Sequence, residues 1–136
     1  MQLTLIKNSD DTQIIQYKIA RIIFAETDAA SLQIVESMAS MINNIHIKFD
    51  KSFDVIANDS NLFESLNPKS SRHDLLNVPA DNHKFQMCLR VVKTMMHGNL
   101  SDTVFGATRF HRTDVMPDWA ISRGYISECE NILFYL

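Results

Sequence analysis

Residues 15–26 read Ile-Gln-Tyr-Lys-Ile-Ala-Arg-Ile-Ile-Phe-Ala-Glu, and the reading of this stretch decides the fold. Ile15, Ile19, Ile22 and Ile23 recur at helical spacing, which gives a helix one apolar face that has to be buried. Ser9 or Asp10 can cap that helix, and acidic residues suit its first turn, so the expected span is roughly 11–25. Phe24-Ala25 keeps its end apolar. Glu26 follows directly, before Thr27 and Asp28 interrupt the pattern. A second stripe, Leu32, Val35, Met38, Ala39, Ile42 and Ile45, predicts a helix over 29–46.

Further along, Asp81 can cap a third helix over 82–97, with Phe85, Cys88, Leu89, Val92 and Met96 facing inward and Gly98 as its stop. Residues 1–6 alternate briefly and read as a short strand or an extended arm. Between the second and third helices, residues 47–82 carry scattered apolar anchors among Asn, Asp and Ser, with a break at Asn67-Pro68. An irregular stretch of this length often shapes a binding surface, the ordinary alternative being a packed loop. Segments 103–111 and 131–136 have β-like composition and can pair. The expected class is α+β: a mainly helical single domain over 1–136 with a small β element.

Composition agrees with a globular chain. The 136 residues are 46% hydrophobic and 21% charged, enough for one core and too few for two independent domains. Glycine and proline number three each, so a glycine-rich phosphate loop is not expected. A net charge of −3 offers no uniformly basic surface, and nucleic acid is not an expected partner. Residues 84–112 are locally basic, with Lys84, Arg90, Lys93, Arg109 and Arg112 against Asp102; a polyanionic ligand could use that stretch, but it reads more simply as a solvated helix face. No apolar run approaches a membrane span, and no basic-then-apolar leader is visible. Oligomeric state is left open by the sequence.

Candidate chemistry is sparse. The five histidines show no metal-binding helical pair, so neither a metal nor a cofactor is expected. Cys88 lies on an apolar stripe and reads as a buried reduced thiol, and no serine sits in a nucleophile elbow. Glu26, at the junction of two amphipathic helices, reads on spacing alone as a surface charge at a helix start. The functional alternative is a carboxyl group beside apolar surface, able to act as a proton donor in glycosidic cleavage. Asp28, Asp54, Asp114 and Asp118 are open candidates for a second carboxylate.

Three blocks in order carry a family resemblance. The first is Ala20-Arg21-Ile22-Ile23-Phe24-Ala25-Glu26 followed by Asn44. The second is Phe63, Asn67-Pro68, Arg72 and Leu75-Leu76, with Cys88-Leu89-Arg90 and the helix ending at Gly98 after it. The third is Gly106-Ala107-Thr108-Arg109-Phe110-His111 with Pro117-Asp118-Trp119-Ala120. Over about 18–136 the chain resembles the cell wall hydrolases related to bacterial spore-cortex-lytic enzymes.

That resemblance implies a lysozyme-like domain that cleaves peptidoglycan glycan strands by hydrolysis or lytic transglycosylation. Glu26 would be the single general acid/base, protonating the bridging oxygen and then taking the muramyl hydroxyl proton as an anhydro ring closes. Phe63, Phe110, His111 and Trp119 would line the saccharide groove. It also implies action at the bacterial cell wall or periplasm after synthesis in the cytoplasm. A phage-type lysis protein released through another protein's pore, or a chain lacking its leader, fits that destination. Departures are visible: the family pattern E-A-x-G-E is here Glu26-Thr27-Asp28-Ala29-Ala30, Arg109 stands at the first motif histidine, and Ile132 at a later one. The alternative they raise is a weakened or inactive cell-wall-binding protein on the same fold.

Overall fold

The computed structural model describes residues 2–136, with side chains from residue 13 onward. Helix α1 runs over Gln2–Thr27. The strand or arm expected at 1–6 is therefore helical from Gln2, residue 1 lying outside the described residues. No glycine or proline occurs before Pro68, so nothing interrupts helix propagation upstream of Ser9 and Asp10. The backbone passes through both instead of being capped by them.

The first helix ends in a sharp reversal. Thr27 Oγ1 donates to the Ile23 carbonyl at 2.6 Å and accepts from the Ala29 amide at 3.1 Å. Asp28 and Ala29 both take left-handed backbone, with φ of 58° and 47°. For a residue with a Cβ that conformation costs roughly 1–2 kcal/mol, and Ala29 lies at the position where the family pattern has glycine. Helix α2, Leu32–Lys48, then starts from Ser31, whose Oγ accepts from the Ile34 amide at 3.2 Å. Its inward face is Ile34, Val35, Met38, Met41, Ile42 and Ile45, while Leu32 is exposed.

A short helix α3, Phe53–Ile56, and single turns at Glu64–Leu66 and His73–Asn77 organise the irregular stretch. Helix α4, His83–Met96, is capped by Asn82, whose Oδ1 accepts from the Phe85 amide, rather than by Asp81. It packs on α1 and α2 and buries Phe85, Cys88, Leu89, Val92 and Met95. Gly98, at φ 78°, closes it.

The last third forms an antiparallel sheet in the order β1-β3-β2. Strand β1 is Arg109–Arg112, β2 is Ser127–Cys129 and β3 is Ile132–Tyr135. Residues 131–136 and the end of 103–111 do pair, Phe110 standing opposite Phe134. Residues 103–107 are not strand: Asp102 accepts from the amides of Val104 and Gly106 and turns the chain there. The β2–β3 hairpin turns on Glu130 and Asn131, both at positive φ, with no glycine to announce it. The molecule is thus a mainly helical α+β domain with a small sheet. Among the described residues no helix is long and apolar enough to cross a membrane.

Ser31 connects the reversal after α1 to the second helix, and Ser31→Ala should destabilise the protein by about 1 kcal/mol. A urea unfolding curve reads this as a lowered midpoint with unchanged slope. An unchanged midpoint would show that the cap contributes nothing.

Candidate functional site

Glu26 is not a surface charge. It lies in the last turn of α1, 1% exposed, because the face that carries Ile19, Ile22 and Ile23 turns it toward the interior. A carboxylate so placed needs partners, and it has them on both oxygens. Oε2 accepts from the Ser65 amide at 2.7 Å. Oε1 lies 3.3 Å from Nη1 of Arg112, which also donates to the Glu26 carbonyl at 3.0 Å. Nη2 of the same guanidinium bonds Glu64 Oε1 at 2.5 Å, so Arg112 bridges two carboxylates.

The turn carrying Ser65 is fixed from outside. His73 Nδ1 lies 2.8 Å from the Ser65 carbonyl, and Arg72 Nη1 donates to the Ala25 carbonyl and to Asp28 Oδ1, each at 3.1 Å. Arg72 thereby supplies a donor to the end of α1. Asn44 Nδ2 reaches the Ala107 carbonyl at 3.1 Å and ties α2 to the segment leading into β1. These two motif residues hold the scaffold around Glu26.

Two clefts meet at the Glu26–Arg112 pair. The central cleft, about 300 Å³, runs from Glu26 and Glu64 past Asn61 and Leu62 to a wall of Phe110, His111 and Trp119. On the other side of Arg112 a cleft of about 230 Å³ is bounded by Asp28, Arg72, Asp114 and Glu130. A third, apolar cleft of about 300 Å³ adjoins the central one through Asn61 and Leu62. Among the suggested second carboxylates, Asp28 and Asp114 share a cleft with Glu26, whereas Asp54 and Asp118 line none of these three. Glu64, unmarked by its spacing in the sequence, shares the central cleft with Glu26.

Strand alternation sorts the aromatic candidates. Phe110 and Arg112 share one face of β1, and Phe110 packs between Phe63 and Phe134 with centroids 6.2 and 6.4 Å away. Arg109 and His111 share the other. His111 stacks on Tyr135, with Nε2 2.8 Å from its hydroxyl, and Trp119 stands edge-on to both rings. Trp119 is partly exposed on the cleft wall. Phe63 is wholly buried and has no face left for a sugar, which corrects its expected place in the groove: the core around Phe110 claims it.

The basic stretch 84–112 is likewise not one solvated helix face. Lys84, Arg90 and Lys93 are exposed on α4, but Arg109 and Arg112 belong to β1. Arg109 lies with its guanidinium carbon 4.0 Å from the Trp119 ring centroid, and burial together with Arg123 pushes its pKa below the ordinary value. Arg112, the residue that completes the site, sits one position past the quoted third block. Its place at the end of a basic run was the only signal, and nothing local tied it to Glu26.

Cys88 and Cys129 are free and buried, and burial pushes the Cys88 thiol up to about 12, far from a reactive thiolate. Among the described residues no group of three or more His, Cys, Asp or Glu side chains is placed to hold a metal ion.

Removing Arg112 would leave Glu26 buried with one amide partner. Arg112→Ala should therefore cost about 3–5 kcal/mol in urea unfolding, well above a surface arginine substitution, which stays within about 0.5. A second expectation concerns acid. The Ser70 hydroxyl, donating at 2.7 Å, and then Arg112 and Arg72 hold the Glu64 carboxyl below its usual range, with burial opposing them. Its folded value lies below the unfolded one, so its contribution is complete above about 4.5 and disappears as pH falls through the folded value. Glu64→Gln should flatten the acid limb of Tm against pH below about 4.5; superimposable limbs would contradict this.

No family model matches this chain, and neither does any curated protein or solved structure.

Proposed function

We propose that the protein cleaves peptidoglycan glycan strands, as a hydrolase or lytic transglycosylase, with Glu26 as its general acid/base. One observation carries this reading: a fully buried carboxyl group, held by Arg112, lies where two clefts meet. A strand crossing from one cleft to the other would bring a glycosidic oxygen to Glu26. Cleavage needs a proton delivered to that oxygen as the bond breaks. In transglycosylation the same carboxylate then removes the muramyl hydroxyl proton while that oxygen closes the anhydro ring, so no second carboxylate is consumed. For hydrolysis, Glu64 is the neighbouring carboxylate on the central cleft, within reach of the same guanidinium.

Trp119, partly exposed, would be the wall against which sugar rings pack, with the buried His111 and Phe110 supporting it from behind. Glu26 can reach a substrate only after one oxygen is released, and the longer contact, to Arg112 at 3.3 Å, is the one that gives way. Arg112 keeps its bond to Glu64 in that movement. Such an enzyme meets its substrate at the cell wall, outside the cytoplasmic membrane. The resemblance to cell wall hydrolases stands beside this geometry as part of the same proposal.

A second reading has its own support. Both Glu26 oxygens are occupied, which suits a domain of the same family that binds glycan without cutting it.

Glu26→Gln separates these readings on purified sacculi. Under the first, wild-type protein releases soluble muropeptides and the variant releases none while still pelleting with sacculi. Mass spectrometry of the wild-type products then shows either anhydro-muramyl or reducing ends. Undiminished release by the variant would remove Glu26 from the mechanism. Binding by the wild type without any release supports the second reading.

A further inference from the structure

The apolar cleft has no place in the chemistry at Glu26, yet it adjoins the central cleft: Asn61 and Leu62 line both. Its wall is built from Ile45, Phe49, Val55 and Leu62, and two of these, Phe49 and Val55, remain 50% and 55% exposed. Two cations, Lys51 and Arg109, stand on it. Among the described residues neither forms an ion pair with a carboxylate. Asp59 is the cleft's one acid, and its Oδ1 is committed to the amides of Asn61 and Leu62 at 3.0 and 3.3 Å. The backbone under Lys51 is pinned, its carbonyl 2.6 Å from His46 Nδ1, and His46 itself stacks on Phe53. Arg109 spans the boundary, lining the apolar cleft while its guanidinium lies over Trp119 on the central wall.

An occupant of this cleft has to satisfy three conditions. It must be joined to whatever fills the central cleft, it must present small apolar groups to an aliphatic wall, and it must bring negative charge to Arg109 and Lys51. A bare sugar chain fails the last two, being neither apolar nor anionic in the required places. A nucleic acid strand would run a charge at every residue past Glu64 on a chain of net charge −3, more than the two cations of this cleft can match.

Resting on the glycan-cleavage reading, we propose that the apolar cleft is a subsite for the acidic peptide stem borne by the glycan strand. The stem's alanine methyl groups lie against Ile45, Val55 and Leu62, and its carboxylates meet Arg109 and Lys51. At about 300 Å³ the cleft takes a few small residues, so the protein reads the first part of the stem. Specificity then resides in the stem as well as in the sugar: strands stripped of peptide keep a lactyl carboxylate at the sugar but lose the stem's carboxylates at Arg109 and Lys51, while keeping the contact at Trp119.

Calorimetric titration of the intact protein with short soluble glycan strands tests this, using stem-bearing strands and the same strands stripped by an amidase. Stem-bearing strands should bind about tenfold more tightly, and the advantage should shrink as salt rises. Lys51→Ala, remote from Trp119, should narrow the ratio while leaving the affinity for stripped strands unchanged. Arg109→Gln should narrow it further. Equal affinity for the two strands overturns the subsite and leaves glycan cleavage standing. A stem advantage that survives both substitutions overturns its placement in this cleft. Failure of both strands to bind overturns the subsite together with the glycan-cleavage reading.

Discussion

The rest of this structure depends on one guanidinium. A carboxylate as buried as Glu26 is stable only when its charge is matched at short range, and Arg112 supplies that match. The same group donates to the backbone at the end of α1 and to Glu64 on the following turn, so a single side chain of β1 clamps two separate pieces of the helical body. Because β1 pairs with β3 and β3 with β2, the clamp seats the whole sheet. The cleft between body and sheet is a product of that seating, and Glu26 lies where the clamp closes.

The two faces of β1 divide the labour. Phe110 and Arg112 turn toward the helices, one adding to the aromatic core and the other to the charge cluster. Arg109 and His111 turn toward Trp119 and Tyr135 and make the wall. A pleat of period 2 does this with four consecutive residues, each of them bearing a large side chain. A register slip of one residue would exchange the faces, placing His111 among aliphatic groups and Arg112 against Trp119.

Most of the helical body was legible, because its information is local. The stripes of α2 and α4, the stop at Gly98 and the pairing of the end of 103–111 with 131–136 follow from periodicity and composition. The start of α1 was not, since brief alternation in 2–6 is outweighed by cooperative helix growth that meets no breaker. Strand β2 escaped notice because Ser127-Glu128-Cys129 has little β character and is strand only by virtue of β3 beside it. Glu26 stood out as a candidate, but its full burial did not. That burial requires Arg112, and a partner so distant in sequence leaves no trace in the spacing around either residue. Phe63 misled for the opposite reason: an aromatic in a motif block looks like a ligand contact until the depth of the core is known.

The sequence separation of 86 between Glu26 and Arg112 also bears on the order in which this chain takes shape. Helices α1 and α2 can dock as neighbours in sequence, α4 joins α1 from across the irregular stretch, and the sheet arrives only after almost the entire chain has been collected. Until that loop closes, Glu26 is an ordinary solvated carboxylate at a helix end. The Glu26–Arg112 contact is therefore made last and surrendered first, and any partly folded form that retains its helices without its sheet lacks it.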